Sequence, residues 1–362
     1  MDKYMIDEHK LMYHAERLGL WLNSREWENV RKIYPIYVEI SLSSVCNHRC
    51  KFCALDYLGY KDGFVNFENL KDTILQMSKG GVRSIMFGGD GEPLLFPKSK
   101  EIILYTKKLG IDVAITTNGS ALTKKFCEET LPFVSWVKVS IDAGTEKTHK
   151  LLHRPKNDGD FEKILLNLKD AVEIKKKKKL DCTIGGQMIL LPENSGEVLK
   201  LAKILKEIGI DYFVVKRYSH NDLSITQGYK HLDYSKYLGL KKDLEKLGNN
   251  QFSVAFRENT MKREKESRCY EQCHAVPMFW AFLMTNGDVY GCGNFLGEKE
   301  FKMGNYNEKS FKEIWEGEGR KKVWNFVKKD LDIKKCRGNC RMDSVNEYLE
   351  KLKNPPRHVN FI

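Results

Sequence analysis

Short runs of β-branched and aromatic residues alternate with longer segments whose apolar positions recur every three or four residues. An amphipathic stretch over about His9 to Val30 comes first, and Ile36 to Leu42 then reads as a strand. Helix Phe67–Lys79 precedes strand Val82–Phe87, helix Ser99–Leu109 precedes strand Ile111–Thr117, and helix Lys124–Thr130 precedes strand Trp136–Ile141. Helix Phe161–Lys176, strand Cys182–Leu190, helix Gly196–Ile208 and strand Tyr212–Lys216 complete the series. Six strands in βα alternation imply an α/β fold with parallel pairing through right-handed crossovers. The composition changes at about residue 260. There Met278 to Met284, a turn containing Asn286-Gly287, and Val289-Tyr290 read as a β-hairpin. The expected organisation is an N-terminal helical extension (1–35), an α/β unit (36–259) and a small α+β cysteine-rich unit (260–362).

With 41% hydrophobic and 30% charged residues in 362, the chain has the balance of a soluble globular protein of one large or two ordinary domains. Its longest apolar run, Ala275 to Met284, is too short to cross a bilayer, and the N-terminus lacks the basic-then-apolar order of a signal peptide. The expected location is cytoplasmic, with no membrane partner. Ten cysteines in such a chain then point to metal rather than disulfides. The net charge of +12 raises nucleic acid as a partner, but much of the excess is lysine on helix faces such as Lys175 to Lys179, and no nucleic-acid-binding signature accompanies it. An anionic small-molecule substrate explains a basic site equally well.

The most informative run is Cys46-Asn47-His48-Arg49-Cys50-Lys51-Phe52-Cys53. Thiolates are soft ligands that select zinc, copper(I) or iron–sulfur clusters. Three of them leave one iron of a four-iron cubane without a protein ligand, and an open metal position is where chemistry happens. A bacterial ferredoxin would show two-residue spacings and a Cys-Pro end, whereas Ala54-Leu55-Asp56-Tyr57 follows here. A zinc knuckle would need a fourth ligand, for which His48 is a candidate. The spacing, with the aromatic Phe52 before the last cysteine, resembles the signature of the radical S-adenosylmethionine (radical SAM) superfamily. That resemblance implies a partial (β/α)6 TIM-type barrel and a [4Fe–4S] cluster on Cys46, Cys50 and Cys53 whose open iron is chelated by SAM. It also implies reductive cleavage of SAM to a 5′-deoxyadenosyl radical, and an electron donor such as flavodoxin or ferredoxin.

Further motifs fall at strand ends, where barrels place their sites. Gly88-Gly89-Asp90-Gly91-Glu92-Pro93 resembles the family's Gly-Gly-Glu-Pro motif with one extra residue, and either Asp90 or Glu92 can take the acidic role toward the SAM amine. Phe52, Gly89, Gly91, Asn118, Ser140, Asp142, Arg154 and Gln187 match segments that line the SAM site in the family. Alternation puts Ser140 and Asp142 on one face of their strand. Lys216, Tyr218 and His220, at the end of the sixth strand, suit an anionic substrate.

Five more cysteines follow: Cys269, Cys273, Cys292, Cys336 and Cys340. Cys273, then Gly287, then Cys292, with Cys336-Arg337-Gly338-Asn339-Cys340 downstream, resembles the SPASM or twitch extension of radical SAM enzymes, as does the helix Phe311–Glu316. The pattern implies one auxiliary [4Fe–4S] cluster on Cys273, Cys292, Cys336 and Cys340, and four thiolates are also a standard zinc shell. Cys269 is left over, as an alternative ligand, an idle thiol or a hydrogen donor. The resemblance spans about residues 36 to 342. It implies hydrogen abstraction from a small polar, anionic metabolite such as a sugar or aminocyclitol derivative, giving oxidation or epimerisation. The alternatives are a peptide-modifying SPASM-type enzyme and a non-catalytic iron–sulfur or zinc protein.

Overall fold

A computed structural model describes residues 4–60, 63–262 and 268–361. Its strands are β1 Tyr37–Ser41, β2 Ser84–Gly88, β3 Asp112–Thr117, β4 Trp136–Ser140, β5 Thr183–Leu190, β6 Tyr212–Arg217, β7 Ser253–Phe256, β8 Trp280–Leu283, β9 Asp288–Tyr290 and β10 Lys302–Asn305. They form one open sheet in the order β10-β9-β8-β1-β2-β3-β4-β5-β6-β7. All neighbours from β8 to β7 are parallel, and β9 and β10 are added antiparallel. The sheet does not close, which makes the architecture a partial barrel.

One residue in two along each strand faces the helices. Val38, Ile40, Ile85, Phe87, Val113, Ile115, Val137, Val139, Ile184, Met188, Phe213 and Val215 are fully buried there. They pack with Leu70, Ile74 and Met77 of helix Phe67–Lys79 and with Ile164 and Leu168 of helix Asp160–Lys178. Truncating such a residue to alanine costs about 2–5 kcal/mol. The opposite, concave face carries Glu39, Ser41, Met86, Thr116, Lys138, Ser140, Gln187 and Lys216, a polar lining that the core does not need.

Two features depart from the expected organisation. A seventh parallel strand, β7, follows the sixth; it is four residues long, too short to show a pattern. More consequentially, the hairpin strand β8 pairs in parallel with β1, Tyr37 opposite Trp280 and Ile40 opposite Leu283, so the cysteine-rich unit shares a sheet with the barrel. The N-terminal stretch is broken at Asn23-Ser24 into helices Ala15–Leu22 and Trp27–Val30, which pack on Met278, Phe279 and Leu349. Its first described residues stop the lower end of the barrel: Tyr4 and Ile6 pack on Tyr212, Val214 and Ala255. Gly185 is required beside them, because a Cβ there would lie 2.1 Å from the Tyr212 ring. Among the described residues, no helix is long and apolar enough to cross a membrane.

Candidate functional site

The loop after β1 carries Cys46, Cys50 and Cys53 and is stitched to its neighbours by its own backbone. Glu92 N–H donates to Val45 O (2.9 Å), Arg49 N–H to His153 O (3.0 Å), Lys51 N–H to Leu152 O (2.8 Å) and Lys156 N–H to Asn47 O (2.9 Å). Asn118 Nδ2 donates to Asn47 Oδ1 (2.8 Å), whose own Nδ2 donates to Ser120 Oγ (2.8 Å). Burial pushes the Cys46 thiol up to about 12, with Glu92 and Cys53 adding to it, and burial followed by Cys53 and Cys46 raises Cys50. Three thiols this close favour ionisation only beside strong positive charge, which a bound cluster supplies, and the donor set fits one.

The glycine loop lies flat against this one. A Cβ on Gly89, whose φ is +119°, would meet Ser41 at 2.4 Å, and one on Gly91 would meet Ser43 O at 2.4 Å. Its two acids are placed differently. Glu92 is 3% exposed, with Oε1 accepting from Thr117 Oγ1 (2.6 Å) and Leu94 N–H (3.1 Å) and Oε2 from Asn118 N–H (2.7 Å). Burial pushes its carboxyl up to about 7 against those bonds. Asp90 is only partly buried and is held on Oδ1 by the hydroxyls of Ser41 and Thr285, the latter in the hairpin turn (3.2 Å). Glu92 therefore braces the loop, and Asp90 keeps an oxygen for a ligand.

Asp142 is buried beneath Cys50. Its Oδ1 accepts from Ile189 N–H, and its own N–H donates to His153 Nε2 (3.2 Å). The same Nε2 lies 3.1 Å from Asp142 Oδ2, and Nδ1 lies 3.4 Å from Cys50 Sγ. Phe52 packs edge-on against the same ring (5.3 Å), and His149 stacks on it at 4.4 Å. His48 and His149 both bond Asp160 Oδ2 through Nε2 (2.9 and 3.2 Å). Burial raises Asp160, and those two bonds overcome it and hold the carboxyl far below the usual range. His48, a candidate zinc ligand by sequence, is thereby engaged with a carboxylate. Arg154 caps the helix Glu146–His153 in the left-handed region (φ +46°) and is exposed, outside this cluster. Ser140 and Gln187 sit opposite each other on the concave face.

The second thiol set is gathered from three places. Cys273 precedes β8, Cys292 follows β9, and Cys336 and Cys340 lie in the loop before helix Asp343–Lys353. Burial, then Cys340, Cys273 and Cys336, raises Cys292; burial and the neighbouring thiols push Cys336 up to about 12. Burial with Asp343 and Cys273 takes Cys340 to about 11. Arg268 shapes the loop by donating to Arg337 O (2.8 Å), Ile333 O (3.0 Å) and Asp343 Oδ1 (2.9 Å). Asn346 accepts from the N–H groups of His274 and Ala275, and its Nδ2 lies 3.5 Å from Cys273 Sγ. Cys269 is exposed, while Cys127 and Cys182 are buried in the core.

Both loops meet at the C-terminal ends of the barrel strands. Asn339, between Cys336 and Cys340, donates to Tyr218 O (3.2 Å) and Ser219 Oγ (3.0 Å), just after β6. Arg341 reaches Glu39 and Tyr37 on β1, bridging the open side of the barrel. Tyr57, just after the first thiols, donates to Leu296 O (2.9 Å). Tyr218 is buried against Tyr229 (5.5 Å), and His220 Nε2 lies 3.2 Å from Asp222. Sequence reasoning missed His153, Asn339, Lys138 and Arg337. The first had a signal in the i, i+4 pair His149 and His153, and Lys138 had one in its alternation with Ser140. A separate groove of about 560 Å³, lined by Trp21, Trp324 and Lys328 among others, touches this region at Cys273 and His274.

Residues 40–205 match the family model of the radical SAM superfamily, and residues 273–341 that of the SPASM iron–sulfur cluster-binding domain. A tungsten-containing aldehyde ferredoxin oxidoreductase cofactor-modifying protein of Pyrococcus furiosus is 25% identical over 319 residues, 83% of this chain and 86% of the relative. An S-adenosylmethionine-dependent nucleotide dehydratase of Flammeovirga pacifica is 33% identical over 135 residues, 36% of this chain and only 46% of the relative. Among solved structures, Streptococcus suis SuiB bound to its precursor peptide SuiA superposes with a TM-score of 0.62 at 20% identity, covering 79% of this chain and 65% of that one. Native anSMEcpe with bound AdoMet gives 0.60 at 21%, covering 88% and 95%. At these identities the structures speak for the fold.

Proposed function

We propose that this chain, which belongs to the radical SAM superfamily and carries a C-terminal SPASM domain, abstracts a hydrogen atom from a small polar, anionic metabolite in the barrel mouth and oxidises it. The two domains imply a SAM-binding [4Fe–4S] cluster and an auxiliary cluster; when bound, the first supplies one-electron cleavage of SAM to methionine and a 5′-deoxyadenosyl radical. Cys46, Cys50 and Cys53 would hold the one, and Cys273, Cys292, Cys336 and Cys340 the other, which would supply the acceptor for the second electron of the oxidation, its proton going to solvent. Asp90 would take the SAM amine while Glu92 keeps the loop in shape. Lys216, Tyr218 and His220 would position the substrate beneath SAM, and the packed loops around them exclude water.

The observation that carries this reading is the meeting of the two thiol-bearing loops at the strand ends, where Asn339 bonds Tyr218 and Ser219 and Tyr57 bonds Leu296. Oxidation is favoured over epimerisation because the spare thiol, Cys269, is exposed, whereas a hydrogen donor has to stand against the substrate. A sugar or aminocyclitol derivative remains the substrate we favour. Peptide modification is the second reading, supported by the fold shared with peptide-bound SuiB. Anaerobically reconstituted protein with dithionite and SAM should release 5′-deoxyadenosine, and a metabolite pool should yield a product lacking two hydrogens. Deoxyadenosine without any small-molecule product, together with turnover of a peptide pool, would move the assignment to the second reading. No deoxyadenosine from cluster-loaded protein would end both.

A further inference from the structure

Helix Ala15–Leu22, the segment before β8, helix Glu318–Lys329 and the end of helix Asp343–Lys353 enclose the groove of about 560 Å³ that Cys273 shares. Its described lining takes nothing from strands β1 to β7 or from the Cys46–Cys53 loop, so it lies apart from the strand ends where substrate would bind. One wall is nevertheless a thiol of the second set, followed by His274. The other walls are aromatic: Trp21 meets the His274 ring edge-on (5.7 Å), and Trp324 leans on Trp27 (5.9 Å). Leu22 stands exposed at the rim. The charges are of one sign. Arg25, Lys328 and Lys353 are exposed, and no carboxylate is among the described lining residues. Lys328 Nζ lies over the Trp324 ring (5.0 Å) rather than against an acid. Glu350, on the helix that ends at the groove, is taken by His274 Nε2 (2.6 Å), while Glu26 and Glu271 are neighbours in sequence that do not line it.

Apolar walls ringed by cations complement a partner whose apolar face is ringed by acids. The thiol in the wall adds a second requirement, that the partner exchange electrons. Encounters between electron carriers are among the smallest protein interfaces, so a groove with three cations at its edge can carry one. A flavin presents a planar edge that can enter between indole walls. We propose that this groove docks an acidic flavoprotein electron carrier, which takes up the electron that substrate oxidation leaves on the group held by Cys273, Cys292, Cys336 and Cys340. One electron leaves that group and enters the oxidised flavin, a proton joins the flavin from solvent, and no bond of the substrate is made or broken in the transfer.

This rests on the oxidative reading above, and it can fail separately, because docking is measured without SAM or substrate. With oxidised flavodoxin as the probe, calorimetry on the cluster-loaded protein should show saturable one-to-one binding that weakens at least about tenfold between about 50 and 300 mM salt. Arg25→Glu, Lys328→Glu and Lys353→Glu together should weaken it at least about tenfold at the lower salt, and Lys125→Glu with Lys203→Glu, outside the groove, should not. All five side chains are exposed, so the variants leave the core intact. In stopped flow, protein reduced by dithionite and freed of the excess should reduce flavodoxin even when Cys46, Cys50 and Cys53 are changed to Ala, and the groove variant should slow that transfer at low flavodoxin concentration. Absence of binding, an unchanged Kd in the groove variant, an equal loss in the Lys125 and Lys203 variant, or transfer that vanishes with Cys46, Cys50 and Cys53 would overturn the proposal. So would a ferredoxin that binds at the groove where flavodoxin does not. A product lacking two hydrogens without docking would leave the oxidative reading standing and end this one.

Discussion

Cys46, Cys50 and Cys53 share one loop, whereas Cys273, Cys292, Cys336 and Cys340 come from either side of a hairpin and from a distant turn. The first set is shaped by bonds that owe nothing to metal: Asn118 to Asn47, Glu92 to Val45, Arg49 to His153. The second joins separate segments, and a group bound there cross-links them. Dispersed ligands make a bound group part of the fold, whereas in the local set it is the missing fourth ligand that leaves a metal position open.

The largest effect should come from breaking the local set. Changing Cys46, Cys50 and Cys53 together to Ala should abolish deoxyadenosine formation while circular dichroism stays native and iron falls from about eight to about four per chain. Cys273→Ala should also drop iron to about four, but here limited proteolysis of the C-terminal unit should accelerate by at least about tenfold, the result of about 1.4 kcal/mol of lost local stability. Cys269→Ala should keep all its iron; loss of auxiliary iron would make that residue a ligand and redraw the second set.

The concave face between the sets has its own signature in pH. Lys216 has a folded pKa of about 7 against 10.5 for the free side chain, so between those values the unfolded chain holds more protons and stability rises with pH. Below pH 7 both states are protonated and the burial penalty is fully present. Lys216→Met should flatten that rise, on the order of 1–3 kcal/mol in denaturation of the cluster-loaded protein, given the surface that the lysine keeps open. The smallest effect sharpens the comparison at single hydrogen bonds. His153→Phe removes the ring nitrogen facing Cys50 Sγ, which toward a ligating thiolate can only donate, and should lower the potential of the SAM-binding cluster alone by about 40 mV, the equivalent of about 1 kcal/mol, in an EPR-monitored titration. Asn346→Ala should shift only the auxiliary one.

Much of this was legible in sequence because its causes are local. Helices Phe67–Lys79, Lys124–Thr130 and Phe311–Glu316 match to the residue, since a cap and an apolar stripe mark each: Asn66, Thr123 and Ser310 are the N-caps. Cysteine spacing is equally local. The division between Asp90 and Glu92 was not legible, because two acids in one glycine loop differ only in what closes over them. Nor was the pairing of β8 with β1, which is a tertiary contact.

That pairing sets a schedule for making the protein. β1 emerges from the ribosome early, and one of its flanks stays bare until β8 follows roughly 240 residues later, on the order of 10–50 s at about 5–20 residues per second. Throughout that interval the nascent barrel presents the backbone of Tyr37–Ser41 to any passing strand, immediately upstream of the loop that will carry iron. Synthesis of the hairpin therefore ends the period in which a chaperone has the most to guard, and cluster loading before that point would act on a barrel still missing one wall.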